Sequence, residues 1–408
     1  MLNIAVVGYG TAGQAAAILL SRDGHRVEVF EQAAQPGPVG AGFLLQPVGL
    51  HVLWEMDLLE QALAHGARVD RLYGENATGR AVMDMRYSGL DRRLFGLGMQ
   101  RGTLFSLLAK AWRADTIHVA QRIVGADADG RRIRDASGRE FGPYDLVIAA
   151  DGAASCLRAI VGKVKLDRPY PWGALWCLLP QGEWQHPSEL RQRYVAARKM
   201  IGLLPVGTRP DDATPRLSFF WSLRTSEFDQ WQRDGMLPWL EQIAGLWPQA
   251  RAQMHAIDDC SQLRRASYRD AVMARWSRGR LVLIGDAAHS MSPQLGQGVN
   301  MALMDALALR NALRAESVID SALARYESER RAHVRIYQFW SRWLTPLFQS
   351  DRDGVARIRD LALLPLGRVP GGRGQMLRVL SGLQRGWTGR LLLPEAFMAK
   401  LETVPAAH

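Results

Sequence analysis

The stretch from Arg280 to Ala306 constrains the fold of this chain more than any other. Leu281 to Ile284 is a short, continuous apolar run, the pattern of a strand buried on both faces. It stops at Gly285-Asp286, which leaves a carboxylate at the C-terminal end of the strand. In a parallel α/β sheet that edge is where ligands bind. Pro293 then enforces a turn, and Gly296 and Gly298 let the backbone approach another group closely. From Val299 and Asn300 onward, Met301, Met304, Leu307 and Ala308 fall on one helical face. Such a helix starts with unpaired amides aimed at whatever the glycines admit, and a helix N-terminus favours negative charge.

The N-terminus adds a second constraint. Leu2 to Val7 is an apolar strand, and Gly8-Tyr9-Gly10-Thr11-Ala12-Gly13 follows at once. A helix is expected from there to about Arg22, then a strand from Arg26 to Phe30 closed by Glu31. This is a complete dinucleotide fingerprint: Gly8 for the tight turn, Gly10 for approach of the pyrophosphate at the helix start (Thr11, Ala12), Gly13 for helix–strand packing and Glu31 for ribose hydroxyls. The fingerprint alone does not choose between FAD and NAD.

The segment Gly285 to Ala306 (GDAAHSMSPQLGQGVNMALMDA) decides that choice, because it resembles the second FAD motif of the single-component flavin-dependent aromatic hydroxylases, the group similar to p-hydroxybenzoate hydroxylase. The resemblance implies that Asp286, beside Gly285, bonds the ribityl chain of FAD. It implies that Pro293 and Gly296 to Gly298 lie against the isoalloxazine ring, and that the helix N-terminus at Val299 and Asn300 faces the flavin pyrimidine. Arg101, in the pattern Arg-x-x-Leu-x-x-x-Leu, matches the family arginine that touches FAD. The segment AADGAASCLR matches the family motif that serves FAD and transient NAD(P)H binding, with Asp151, Gly152, Ser155 and Arg158 in register; Asp151 is expected to orient other groups rather than to be a direct ligand. The glycine-spaced loop Gly37 to Pro47 is expected beside the flavin.

The rest of the chain sets the architecture. An α/β fold is expected, with a Rossmann-like FAD-binding domain (residues 1–70, 100–165 and 277–330), an inserted antiparallel sheet forming a substrate domain (71–99 and 166–276) and a C-terminal helical region (331–408). Val48 to Leu63 reads as one helix, Val69 to Tyr73 and Ala81 to Tyr87 as strands, and roughly Ser321 to Gln349 as a long helix with Tyr337, Trp340, Leu344 and Leu347 on an apolar stripe. Strict alternation at 217–224 puts Leu217, Phe219, Trp221 and Leu223 on one face and Ser218, Phe220, Ser222 and Arg224 on the other. Trp176, Phe219, Trp221 and Pro293 are the candidate substrate-pocket residues.

Composition narrows the function. The net charge of +11 comes almost wholly from arginine, since only five of the 51 basic residues are lysines. The arginines are dispersed and no nucleic-acid-binding module is visible, so nucleic acid is not an expected partner. No run of 18 apolar residues suggests a transmembrane helix, although the basic amphipathic C-terminal part leaves peripheral membrane contact open. The first apolar residues belong to a strand, so no signal peptide is expected. Cys156, Cys177 and Cys260 form no CxxC, which fits a reducing cytoplasm and no metal site. The resemblance implies reduction of FAD by NADPH or NADH, addition of O2 to give a C4a-hydroperoxyflavin, and transfer of one oxygen atom to an aromatic or quinone-like small molecule. It names no catalytic acid or base, and His289 is expected to be structural. Two alternatives stand beside it: an FAD-dependent reductase or dehydrogenase of a hydrophobic substrate, and a flavin-binding partner protein without turnover. A halogenase is disfavoured, because Trp172 and Trp176 are wrongly spaced for its motif and no lysine precedes Lys110.

Overall fold

Four of the apolar runs lie side by side in one sheet. The computed structural model describes residues 1–37, 40–112, 116–367, 369 and 371–405, so Pro38 and Val39 of the glycine-spaced loop lie outside the described residues. The sheet runs in the order Ser277–Arg278, Leu281–Leu283, Leu146–Ala149, Asn3–Val7, Arg26–Phe30, Ile117–His118. All neighbours are parallel except the antiparallel edge pair Ser277–Arg278 and Leu281–Leu283. Its central residues Ile4, Val6, Ile148 and Val282 are fully buried, as expected for strands covered on both faces. The register aligns Val7 with both Ala149 and Phe30, and Ala149 with Leu283. Gly8, Glu31, Asp151 and Asp286 therefore leave the sheet along one edge.

A seven-stranded sheet follows the order Arg264–Met273, Val164–Pro180, Asp212–Arg224, Lys199–Arg209, Glu189–Val195, Arg71–Asn76, Ala81–Arg86. It departs from the fully antiparallel expectation at one junction, where Glu189–Val195 runs parallel to Arg71–Asn76. These two strands are joined by a long excursion that contributes Ile117–His118 and Leu146–Ala149 to the first sheet, rather than by a hairpin, so no tight turn dictates their direction. The expected strand Val69 to Tyr73 breaks at Asp70. Ala67–Val69 pairs with Gly96–Gln100, which also pairs with Gly42–Leu45, in a separate three-stranded sheet. The expected helix Val48 to Leu63 is two helices, Pro47–Glu55 and Leu59–His65, separated at Asp57, whose φ of 53° is incompatible with continuing a right-handed helix.

The long helix is Ile319–Phe348, packed against the helix Gly298–Ala315. Beyond it the C-terminal region is not purely helical. It holds the helices Asp353–Leu366, Gly372–Leu380 and Glu395–Glu402 and a short hairpin of Gln384–Arg385 with Gly389–Arg390. No helix among the described residues is long and apolar enough to cross a membrane.

Candidate active site

Steric demands at the sheet edge explain the glycines. Gly8 has φ +103°, and a Cβ there would lie 2.4 Å from the Ala150 carbonyl oxygen. A Cβ on Gly13 would lie 1.9 Å from the Gly8 carbonyl oxygen. Both glycines are required by backbone packing on the strand ends. Gly10, Gly296 and Gly298 are different: a Cβ on any of them would meet open space. Gly10 caps the helix Thr11–Arg22 with no side-chain hydrogen bond, so its first amides stay available. The helix Gly298–Ala315 also starts without a side-chain cap, and Val299 is partly exposed in its first turn. The two helices converge on Gly285, where an added Cβ would meet Ala12 at 3.1 Å and Ala302 at 3.4 Å. Glu31 is fixed beside the first of them, accepting from the amides of Tyr9 (2.9 Å) and Ala33 (2.8 Å).

Asp286 opens the short helix Asp286–His289. The residue is exposed, yet surrounding protein desolvates its carboxyl group and raises its pKa. Both conditions hold together on the floor of a cleft. Arg101 enters the same cleft from the start of the helix Arg101–Ala111. Its guanidinium lies over the rings of Trp176 (5.3 Å) and Phe43 (5.5 Å), its Nε has no protein partner, and burial lowers its pKa against the pull of Asp286 and Tyr268. It is a half-buried cation with a buried Nε, not the fully exposed arginine that its helix-start position alone would allow.

Arg158 stitches two motifs together. Fully buried, it donates through Nε to the Ala287 carbonyl (2.9 Å), through one terminal nitrogen to the carbonyls of Asp286 (2.9 Å) and Ala153 (3.0 Å), and through the other to Asp167 (2.9 Å). Ser155 Oγ accepts from the Arg158 amide (3.2 Å). Asp151 accepts from the Cys156 amide at 3.2 Å through one oxygen; the other is buried with no partner, and burial raises the pKa. Gly152 follows at φ +80°. Beneath Gly285, Asp305 accepts from its amide (2.7 Å), pairs with His289 Nε2 (2.6 Å) and accepts from Arg330 Nε (2.7 Å). Burial raises the Asp305 pKa, but His289 and Arg330 outweigh it and bring it down to about 2. His289 is thus a buried structural partner.

The side chain of Asn300 bonds within the protein. Its Oδ1 accepts from the Gln46 amide (2.8 Å), and its Nδ2 donates to the carbonyls of Leu44 and Gly296 (3.2 Å each). The side chain is spent on holding the Gly296 turn against the strand Gly42–Leu45, which leaves its backbone amide at the helix start as the group that could face a cofactor. Pro293 begins a 3-10 turn to Leu295; Ser292 beside it bonds Ser341 and Thr345 (2.8 Å each) of the long helix.

The pocket candidates divide by face. Trp176 pairs with Phe220, and its ring packs against Gly40 and Arg101. Phe219 and Trp221 point the other way, into a separate core with Trp239 at 5.8 and 6.0 Å between ring centres. They are covered by helices from residues 228 to 252, so they do not line the cleft. Sequence reading missed Phe220 because aromatic residues stand at both parities of 219–221. It also missed Tyr268, on the strand Arg264–Met273, which faces Arg101; burial pushes its phenol up to about 12. Alternation in Ala266-Ser267-Tyr268 was the available signal.

Buried Arg101 Nε, Asp151 Oδ1 and Gln297 Oε1 without partners, open glycines and two uncapped helix starts on one cleft fit a bound dinucleotide. The family model described as an FAD binding domain matches residues 1–338. The chain belongs to this family, that of the single-component FAD-dependent aromatic hydroxylases. A FAD-dependent urate hydroxylase of Klebsiella oxytoca is 28% identical over 342 residues, 81% of this chain and 86% of that protein. An aurachin C monooxygenase/isomerase of Stigmatella aurantiaca is 27% identical over 392 residues, 90% of this chain and 99% of that protein. The crystal structure of Klebsiella pneumoniae HpxO complexed with FAD and uric acid has the same fold, with a TM-score of 0.77 at 23% identity over 93% of this chain and 97% of that one. The hydroxylase uses FAD, with O2 and NAD(P)H as co-substrates.

Proposed function

We propose that this FAD-dependent monooxygenase hydroxylates a flat, electron-rich aromatic or N-heteroaromatic ring, held between the seven-stranded sheet and the Pro293 turn. The observation that carries this reading is the convergence of three strand ends and two uncapped helix starts on one cleft, roofed by the sheet face that bears Trp176 and Phe220. Relatives named for urate and aurachin C, both fused heteroaromatics, support the substrate class.

FAD, when bound, supplies electron transfer from NAD(P)H and activation of O2. In this reading the protein binds and orients. The amides of Thr11 and Ala12, with Gly8, Gly10 and Gly13 making room, take the pyrophosphate, and Glu31 the ribose hydroxyls. Asp286 and Gly285 take the ribityl chain, with Asp151 and Gly152 holding the neighbouring turn through Cys156. Pro293, Gly296, Gly298 and the amides of Val299 and Asn300 sit against the isoalloxazine, where the helix N-terminus stabilises negative charge. Arg101 adds a half-buried cation to the same cleft. Trp176, Phe220 and Tyr268 exclude water and orient the substrate ring. The parts assigned to FAD are residues 1–70, 100–165 and 277–330. Residues 71–99 and 166–276 hold substrate, and 331–408 buttress the Pro293 turn.

The test is NADPH and NADH oxidation by FAD-loaded protein across a panel of hydroxylated heteroaromatics and quinolones, with peroxide logged. A compound that speeds oxidation without matching peroxide release identifies a coupled hydroxylase substrate. Acceleration only under anaerobic conditions, with reduction of the added compound, would replace this reading by the reductase. Asp286→Ala is expected to abolish FAD retention while the chain stays folded.

A further inference from the structure

An aromatic cluster stands on the solvent face of the C-terminal region. Ala332, Arg335, Phe339 and Trp343 follow one another at helical spacing along the exposed side of Ile319–Phe348. The hairpin Gln384–Arg390 folds across this stripe, with the Gly386 amide donating to the Ala332 carbonyl at 3.2 Å. Its tip residue Trp387 meets Phe339 at 4.8 Å, Phe339 meets Trp340 at 5.4 Å, and Trp340 meets Trp343 at 5.8 Å. Phe339, Trp343 and Trp387 are 41%, 54% and 60% exposed. A contiguous exposed apolar patch of this kind marks an interaction surface rather than scatter.

The charge around the patch has one sign. Residues 330–350 and 361–394 contain no Asp or Glu. The helix's other arginines nearby are neutralised, Arg331 by Glu327 and Arg342 by Asp270. Arg335, Arg385 and Arg390 are exposed and make no ion pair among the described residues. Asp91, within electrostatic reach of Arg390, is already engaged by Arg93. A second copy seated on the same face would set these arginines against their own counterparts, because a two-fold interface is self-complementary. A surface that offers apolar insertion and negative charge together satisfies both halves of the patch.

We propose that this face rests on an anionic lipid bilayer, with Phe339, Trp343 and Trp387 at headgroup depth and Arg335, Arg385 and Arg390 on lipid phosphates. Tryptophan suits that depth because its ring is apolar and its N–H remains wet. The opposite face of the same helix carries Ser341 and Thr345, which bond Ser292 beside Pro293. Docking therefore brings the bilayer to within about one helix diameter, ~10 Å, of the Pro293 turn.

The experiment is co-sedimentation of the FAD-loaded full chain with vesicles of phosphatidylcholine alone or mixed with phosphatidylglycerol. The variants are W343S/W387S and R335E/R385E, each checked for flavin absorbance and melting temperature. The wild type is expected to bind the phosphatidylglycerol vesicles, to be released by high salt, and to lose about tenfold or more in affinity in each variant. Absence of binding to phosphatidylglycerol vesicles overturns the proposal, as does equal binding by wild type and the tryptophan variant. So does a stable dimer in sedimentation velocity that both variants dissolve, since the patch is then a subunit interface.

Discussion

The glycines at positions 8, 10 and 13 are of two kinds, two set by backbone packing and one facing open space, and substitutions separate them. A methyl group at Gly13 cannot coexist with the Gly8 carbonyl 1.9 Å away, so the helix or strand must move. Gly13→Ala is expected to cost about 1–3 kcal/mol of stability, as for other overpacked sites, and to weaken FAD binding with it. Gly10 has an ordinary φ of −75° and faces open space. Gly10→Ala is therefore expected to cost the FAD-free chain at most about 1 kcal/mol, as alanine replaces glycine at the helix N-cap, while its methyl group occupies the approach of the pyrophosphate and FAD affinity falls. Paired thermal melts and flavin-fluorescence titrations read both effects. A loss of apo stability in Gly10→Ala equal to that in Gly13→Ala would contradict the assignment of open space.

At the scale of elements, one buried carboxylate joins three. Asp305, on the helix Gly298–Ala315, holds the Gly285 amide at the end of its strand, His289 on the short helix and Arg330 on the long one. Asp305→Asn leaves Arg330 buried beside a neutral amide, a change that costs about 3–5 kcal/mol in comparable pairs. The pH dependence follows from the lowered pKa. The folded value is about 2, below the unfolded value of about 3.9. The ionised form thus contributes stability in full above about pH 4 and loses it as pH falls toward 2. Melting curves are expected to show the gap between wild type and Asp305→Asn narrowing across that window. A gap that is constant from pH 5 to pH 2 would exclude the ion-pair account.

At the scale of the molecule, the seven-stranded sheet separates two environments. Phe219 belongs to the core behind the sheet, under the helices from residues 228 to 252. Trp176 belongs to the cleft, stacked on Arg101. Phe219→Ala is expected to cost about 3–5 kcal/mol in stability and to leave substrate Kd unchanged in the folded fraction. Trp176→Ala, in a partly exposed position, is expected to cost less stability and to raise substrate Kd or flavin mobility. Chemical denaturation and equilibrium binding distinguish the two, and a reversed pattern would place the substrate on the helical side of the sheet.

The sequence by itself determined the edge of the parallel sheet. Each motif there is local: an apolar run, a glycine or carboxylate at its end and a helix start within a few residues, all legible because steric and hydrogen-bonding demands act between near neighbours. The tertiary structure decided what long-range pairing controls. It chose which parity of Phe219-Phe220-Trp221 faces the cleft, since both carry aromatics and only the register against Trp176 and the covering helices breaks the tie. It stacked Arg101 on Trp176, gave Arg158 to the carbonyl of a residue 128 positions away, and spent the Asn300 side chain on a neighbouring strand. It set Glu189–Val195 parallel to Arg71–Asn76. A side chain's pattern in sequence states how far it prefers to be buried, but its partners exist only once distant elements are packed, and partners assign the role.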